Sequence, residues 1–476
     1  MGSEPAYGLN RLPTELLHLI IGKFIGVVYE HDLWSLSLTS RRFHDITEEH
    51  LYGAFVFRRR FDGQYGPFKR SKTFRFLRTL SERPELCALV RDVHVESLND
   101  IEEDPIVFKN HIGDWIKQIL TVPGSQIPAS SLSLVASLVA NRSPSQIGDA
   151  VVTYLLLLLP NLRTICLGDF NKSLADFLHV QCHALDVLDR AGQVDMLQTT
   201  HRFLHLKAVT LYFSADAPYM IQNGDLLRLP NLRTLILGQP KFKDGPSWRN
   251  NDGSRAWGCP PRSSLVENLT LWDLSVHEPR DDLTAFMQSF AGLKFLEVQY
   301  SYRRHPRPQS PCTRLYWGLR SQQDSLEQLH LYSQDSNHPD RERQAPFRPG
   351  DFGPMPSFKS FSRLKSLRLT DSLLVGDNPA GLAYWTAPLS ESAQYLTSML
   401  PDTLEEFTHV SWNNISTYDS MISIRDRIGK WKQIWRTNFA IESLPNMKTV
   451  GQIEYNWNNP NLRPPYTIWR RPQTRG

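Results

Sequence analysis

One short apolar pattern recurs along the chain, and its clearest copies are "LKFLEV" at residues 293–298, "LEQLHL" at 326–331 and "LKSLRL" at 364–369. Each copy has apolar residues at its first, fourth and sixth positions, and the alternation over the last three is typical of a β-strand with one buried face. A unit repeated in this way predicts a solenoid with one strand per repeat. Further copies begin at residues 90, 162, 206, 232 and 266, and weaker ones at 404 and 447.

Segments with helical spacing precede several of these strands. A helix, a short turn and a strand, repeated with right-handed connections, would stack the strands in a parallel sheet with the helices outside. The expected fold class is therefore α/β. Residues 239–263 and 333–357 are rich in Pro, Gly and charge, and they are predicted to be long loops. The predicted helices lie within residues 281–290, 313–322, 390–400 and 430–439.

The chain begins with a different pattern, "LNRLPTELLHLIIGKF" at residues 9–24. Pro13 suits the first position of a helix, where a missing N–H has no partner to lose, and apolar residues follow at helical spacing. Two more short helices are predicted by residue 52, the first capped by Asp32 and the second by Thr39 or Ser40. Three such helices are marginal as a free-standing domain, so their apolar surface needs cover from the rest of the chain or from a partner.

The composition excludes several classes of protein. With 476 residues, 41% hydrophobic and 21% charged, the chain is typical of an ordinary folded protein. The net charge of +4 is too small to indicate a nucleic-acid partner, and the longest apolar run, residues 151–159, is too short to cross a membrane. The five cysteines form no CxxC pair, which favours reduced core residues over disulfides or a zinc site. We therefore expect an intracellular protein without nucleic-acid or membrane partners.

No enzymatic motif is present in a form that supports chemistry. Neither standard glycine-rich phosphate loop occurs, and "HRFLH" at 201–205 lacks the glutamate of a zinc-protease helix. The "DFG" at 351–353 stands without the other kinase motifs. We predict no catalytic residues, no metal and no cofactor.

The N-terminal residues resemble an F-box. The likeness is carried by "LPTELLHLIIGKF", then "DLWSLSLTSRRFHDI", then "LY", over residues 12–52. The later repeats resemble degenerate leucine-rich repeats, so the whole chain is similar to the F-box/leucine-rich-repeat proteins of the fungal type. Two departures stand out: "IGKFIGVVYEH" is longer and more apolar than a usual F-box linker, and the repeats lack the asparagine at their ninth position, which is Phe170 in one copy and Ser372 in another.

The resemblance implies an architecture: an N-terminal three-helix F-box followed by an irregular leucine-rich-repeat solenoid. In such a chain residues 1–10 are a flexible N-terminus, 11–53 the F-box, 54–83 a linker helix region, 84–456 the solenoid and 457–476 a C-terminal tail. Tyr466 and Trp469 in that tail are expected to dock against the last repeat.

The resemblance also implies a function. F-box proteins of this kind bind the Skp adaptor of a cullin–RING ubiquitin ligase and select its protein substrate, in the cytoplasm, the nucleus or both. The chain would then be a non-catalytic substrate receptor. A non-degradative F-box scaffold in a fixed assembly is the alternative.

Carried over residue by residue, the resemblance predicts an adaptor-binding set at the N-terminus. For Leu17, Leu36 and Phe43, simple packing in the helix bundle remains an equal alternative. The predicted adaptor-binding residues are Leu12, Pro13, Leu16, Leu17, Ile20, Leu36 and Phe43.

In the repeat strands alternate residues face opposite ways, so the polar and aromatic positions between the apolar anchors share one face. Exposed aromatics with an arginine nearby are typical of protein interfaces, although the tail or a long loop could instead pack over them. The predicted substrate-binding residues are Tyr212, Trp272, Gln299, His330, Tyr332 and Arg368. The anchors Leu235, Leu296, Leu329 and Leu367 are predicted to be buried.

Overall fold

The structure is a computed structural model. The residues that it describes are 9–24, 30–57, 72–95, 155–156, 158–170, 203–213, 220–221, 225–238, 241–242, 259–274, 282–301, 311–334, 355–370, 373–374, 387–413, 433, 444–456 and 466–470. Most of the two predicted loops and nearly all of the helix predicted at 430–439 lie outside the described residues. The chain divides into two compact units, residues 1–210 and 211–476.

The first unit opens with three helices, α1 (Thr14–Phe24), α2 (Glu30–Ser37) and α3 (Arg41–Gly53). Ser40 caps α3, as predicted, because its Oγ accepts a hydrogen bond from the Phe43 N–H at 3.2 Å. The predicted cap at Asp32 is wrong: α2 begins at Glu30, which places Asp32 in its first turn. The three helices share one buried core, formed by Leu17, Ile21, Leu33, Phe43 and Ile46.

A parallel sheet follows the helices in the same unit. Its strands are β1 (Ala54–Phe57), β2 (Asp92–Val95), β3 (Thr164–Phe170) and the start of β4 (Ala208–Phe213), with helix α4 (Lys72–Glu82) between β1 and β2. β1 pairs with β2 and β2 with β3, both in parallel. Strand β1 was not predicted, because it carries no copy of the repeat pattern; residues 54–83 therefore contain a strand as well as a helix.

Ion pairs connect α3 to the segment that leads into β2. Glu48 pairs with Arg83 at 2.6 Å and Glu49 with Arg91 at 2.9 Å, and the Arg91 N–H donates to the Gly53 carbonyl at 2.8 Å. These side chains are partly exposed, so each ion pair adds only a little stability. Their effect is to fix the end of α3 against the first strands of the sheet.

The second unit is built from parallel strands with helices between them. Each strand that carries a sequence repeat begins two residues after the start of that repeat. The copy that starts at residue 293, for example, forms a strand that begins at Phe295. The predicted α/β class and parallel strand order are confirmed. In the order of their hydrogen bonding, the strands are β6 (Thr234–Gly238), β8 (Asn268–Leu274), β9 (Phe295–Ser301), β10 (Gln328–Gln334), β11 (Ser366–Thr370), β12 (Glu406–Asn413) and β13 (Thr449–Asn456).

Three of the predicted helices lie in this unit: α5 (Asp282–Gln288), α6 (Pro311–Leu319) and α7 (Leu389–Met399). A small parallel pair joins β5 (Met220–Ile221) to β7 (Lys241–Phe242). The strand anchors form the core on one side of the sheet. All four leucines predicted to be buried, Leu235, Leu296, Leu329 and Leu367, are at most 1% exposed.

The last strand, β14 (Tyr466–Arg470), runs antiparallel to β13. This departs from the expected all-parallel sheet, although it places the tail against the last repeat, with Trp469 opposite Val450. The physical reason is the short connection between β13 and β14, because a parallel crossover needs about a dozen residues or more.

Polar side chains at the turns form hydrogen bonds with the backbone of the neighbouring turn. Within the first unit, Asn161 Nδ2 donates to the Ala88 carbonyl at 2.8 Å. Within the second, Asn446 Nδ2 donates to the Asp402 carbonyl at 2.8 Å, and Thr403 Oγ1 to the Leu364 carbonyl at 2.9 Å. Each donor lies immediately before a sequence repeat, so successive turns are bonded to one another by different residue types.

A charged residue precedes each second-unit strand that carries the sequence repeat, and from β8 to β13 the sign of the charge alternates. Two ion pairs follow from this order, between Lys294 and Glu267 at 2.9 Å and between Lys448 and Glu405. Such exposed pairs are individually weak, but like charges in neighbouring positions are avoided along the row. The alternating residues are Glu267, Lys294, Glu327, Lys365, Glu405 and Lys448.

Candidate functional site

The first unit leaves large apolar side chains exposed on α1, on α2 and directly after the end of α2. We call this set the α1–α2 apolar face: Leu16, Leu19, Ile20, Trp34 and Leu38. Leu16 is 45% exposed, Trp34 55% and Leu38 82%. Leu19 and Ile20 each lie about one turn from Leu16 on α1, whereas Leu17 and Ile21 of the same helix enter the core. Several exposed apolar groups on one helix, as Leu16, Leu19 and Ile20 are on α1, are typical of a surface that binds another protein.

The seven residues predicted to bind the adaptor divide into two groups. Pro13, Leu16 and Ile20 are exposed. Leu17 and Phe43 are buried in the helical core, and Leu12 and Leu36 are partly buried against it. The core alternative is therefore the one that the packing favours for Leu17, Phe43 and Leu36.

Sequence reasoning missed Leu19, Trp34 and Leu38. Helical spacing could have found Leu19, which follows Leu16 by three residues, and the four-residue step from Trp34 to Leu38 gives the same signal. The resemblance to an F-box instead predicted the paired leucines at 16 and 17 as binding residues.

In the second unit, the strand register, together with the contacts of Trp272 with Tyr212 and Glu297, places the predicted substrate-binding residues on one face of the sheet. We call it the site face, and it carries Tyr212, Trp272, Glu297, Gln299, His330, Tyr332 and Arg368. Glu297 and His330 are Cα partners on β9 and β10, and His330 and Arg368 are partners on β10 and β11. Side chains at matched positions of parallel strands point the same way, so these three form a row across the sheet.

Aromatic rings lie beyond the Glu297 end of this row and beside its middle residue, His330. The ring centroids of Tyr212 and Trp272 are 5.5 Å apart, and the His330 ring meets the edge of Phe295 at 5.1 Å and lies 6.3 Å from Tyr332. Separations of this size are those of interacting aromatic pairs. The site face therefore combines apolar rings with a short charged row.

Glu297 is the hub of the polar contacts. Its Oε1 accepts a hydrogen bond from the Trp272 indole N–H at 3.2 Å, and its Oε2 lies 3.7 Å from His330 Nδ1. Burial raises the pKa of the Glu297 carboxyl, but its polar contacts with His330 and Trp272, with the charges of His330 and Arg368, outweigh burial and lower the pKa overall. Glu297 is therefore ionised at neutral pH. Its place between apolar anchors puts it on the predicted face, but it was not among the predicted substrate-binding residues.

The expectation that this face is fully open is wrong for two of its residues. His330 is 6% exposed and Tyr332 9%, whereas Tyr212, Trp272, Gln299 and Arg368 are half-buried. His330 and Tyr332 lie on a middle strand that pairs with β9 on one side and β11 on the other, and the Phe295 ring packs 5.1 Å from the His330 ring.

Other kinds of site find no support in the described part of the chain. There, no three His, Cys, Asp or Glu side chains are grouped so that they could hold a metal ion. Cys87, Cys166 and Cys259 are buried, and burial raises the pKa of the Cys87 thiol to about 11. The described helices include none with the length and apolar character needed to cross a membrane.

Comparison with known proteins does not assign the chain to a family. No protein-family model matches the sequence, and no curated protein matches it significantly.

Proposed function

We propose that this protein is the substrate-recognition subunit of an SCF-type cullin–RING E3 ubiquitin ligase. In this proposal residues 11–53 bind a Skp adaptor, and the repeats bind the protein substrate. The chain itself performs no chemistry: it brings a substrate lysine close to the charged ubiquitin-conjugating enzyme and so raises its effective concentration.

The single observation that carries the proposal is the α1–α2 apolar face. Three helices that already share a buried core still leave Leu16, Trp34 and Leu38 exposed to water, and covering such side chains is the main favourable term in protein association. The resemblance of the same segment to an F-box indicates that the partner is a Skp adaptor. The α/β repeats support the second half of the proposal, because stacked repeats form extended binding surfaces.

The test is a change of Leu16 to Glu in the full chain. A charge placed in an apolar interface should remove at least about 2 kcal/mol of binding free energy, or roughly thirtyfold in affinity for the purified adaptor. Leu265→Glu is the matched control, because Leu265 is 46% exposed in the second unit and Leu16 is 45% exposed. Leu16 is preferred to Leu12, which packs partly against the core.

Affinity for the adaptor is measured by titration calorimetry, with the thermal midpoint of each variant as a check on folding. Equal adaptor affinities for Leu16→Glu and Leu265→Glu would refute the adaptor interface. If the adaptor binds but a reconstituted ligase transfers no ubiquitin to proteins held by the repeats, the protein is a scaffold of a fixed assembly instead.

A further inference from the structure

Two buried nitrogen atoms on the site face have no hydrogen-bond partner in the part of the chain that the structure describes: Nε2 of His330 and Nε of Arg368. The two residues are Cα partners on neighbouring strands, so these nitrogens belong to side chains that lie next to each other on one face. A buried polar group without a partner is costly, and a ligand that supplies the partner removes this cost. The pair therefore points to a ligand.

Glu297 does not supply that partner, because its carboxylate is already engaged. One of its oxygens accepts from the Trp272 indole N–H, and the other faces Nδ1 of His330. With Nδ1 turned toward Glu297, Nε2 is on the opposite side of the imidazole ring. Protonated His330 would thus have one N–H toward Glu297 and one available for a ligand, beside the permanently charged guanidinium of Arg368.

The chemistry of the ligand follows from donors and charge. Two N–H donors side by side match the two oxygens of a carboxylate. With His330 protonated, His330 and Arg368 bear two positive charges and Glu297 one negative charge, so a single carboxylate brings this row to neutrality. A phosphate carrying nearly two negative charges would leave an excess charge in a largely buried site, which is unfavourable.

We propose that His330 Nε2 and Arg368 Nε bind one carboxylate group of the substrate, either an acidic side chain or a chain terminus, beside an apolar residue. The apolar neighbour would lie on the Tyr212–Trp272 pair, whose rings are 5.5 Å apart on the same face. This inference rests on the proposed role of the repeats in substrate binding, and it adds the chemical class of the group that they recognise.

The test uses acetate as the probe, on the full chain labelled with ¹⁵N in histidine and arginine. The His330 signals are assigned from their absence in His330→Gln. At constant pH and ionic strength, acetate should move the Nε2 signal of His330 toward its protonated position and move the Arg368 Nε–H signal, and both shifts should saturate. Arg368→Gln should abolish the His330 shift. Arg320→Gln, at an exposed arginine stacked on Trp317 at 5.1 Å, should preserve it.

Several results would overturn the inference. Sodium chloride or inorganic phosphate that reproduces or exceeds the effect of acetate would indicate screening or a different anion. A His330 shift that survives in Arg368→Gln would place the anion elsewhere, and no shift at all would exclude the site. Unchanged signals from the other histidines show that each variant is folded.

Two further experiments are needed. One distinguishes the two possible sources of the carboxylate, and the other distinguishes failure of this inference from failure of the proposed function. Blocked peptides with an internal glutamate, compared with peptides that end in a free C-terminus, distinguish a side chain from a terminus, and binding by neither kind of peptide contradicts the proposal. The readout does not involve the adaptor. Leu16→Glu should retain the acetate shift, and a wild-type chain that shifts with acetate but binds no adaptor would refute the proposed function alone.

Discussion

Glu297 shows how one residue links the stability of the repeats to the state of the site face. Its pKa in the folded protein is lowered, because the hydrogen bonds and positive charges around it outweigh its burial. A carboxylate with a folded-state pKa below its unfolded value adds stability that is fully present above the unfolded value, about 4.3. That stability is lost as the pH falls through the lower folded-state pKa.

The change of Glu297 to Gln should therefore have a pH-dependent cost. At pH 7 we expect the free energy of unfolding to fall by about 1 kcal/mol, since the amide keeps the shape of the side chain but loses the charge-assisted bonds. At about pH 3 the variant and the wild type should converge, because the wild-type carboxyl is then becoming protonated as well. Urea unfolding curves at the two pH values measure the difference. Glu391→Gln, at an exposed position of α7, is the control; a cost at Glu297 that does not change with pH would show that charge is not its cause.

At the scale of the elements, Gln322 joins one repeat to the next. It is fully buried in the short turn that follows α6, and its Oε1 accepts from the Leu293 N–H at 3.0 Å. Its Nε2 donates to the carbonyls of Phe290 at 2.9 Å and Met287 at 3.2 Å. One side chain thus satisfies backbone groups at the end of α5 and before β9 that no strand or helix bond would reach.

We expect Gln322→Leu to lower the free energy of unfolding by roughly 3 kcal/mol, because buried backbone groups lose their partners at once. Gln328→Leu makes the same change at an exposed position of β10 and should cost less than about 0.5 kcal/mol. Denaturant titration of both variants gives the comparison. Similar costs for the two would mean that water replaces the Gln322 bonds without penalty.

Most strands could be predicted from the sequence, whereas contacts between distant residues could not. The strands that carry the repeat were predictable because the apolar alternation lies within six consecutive residues. All ten copies of the repeat form strands. Strand β1 was not predictable, since its pairing depends on β2, which lies beyond α4. Gln322 is the last residue of the helix predicted at 313–322, and its burial was not predictable, because its bonds reach residues some thirty positions away. The burial of His330 likewise depends on side chains from neighbouring strands.

At the scale of the whole molecule, the two candidate surfaces belong to different compact units. The α1–α2 apolar face lies in the first unit, and the site face lies in the second. A substitution on either surface should therefore change one binding activity and leave the other intact, which is the behaviour that a bridging receptor requires.

Trp272→Ala is the variant that tests this separation. Trp272 contacts the Tyr212 ring and donates its indole N–H to Glu297, so its loss removes an aromatic surface and one bond of the polar row. We expect retention of the bound substrate proteins to weaken by roughly thirtyfold, the effect of a dominant interface residue worth about 2 kcal/mol. Adaptor binding should stay unchanged. Tyr332→Ala is less informative, because Tyr332 is buried and its truncation would leave a cavity.

The measurement is a paired pull-down in which adaptor and substrate proteins are quantified in the same eluate. Trp317→Ala is the matched control, because it removes the same kind of side chain at a position away from the site face. Trp317 is half exposed on α6. Loss of adaptor and substrate together would indicate misfolding of Trp272→Ala, because Trp272 and the α1–α2 apolar face belong to different units. Loss of neither would move the substrate site away from this face, toward the segments at 239–263 or 333–357. Only a loss of substrate that Trp317→Ala does not share assigns the site face to substrate binding.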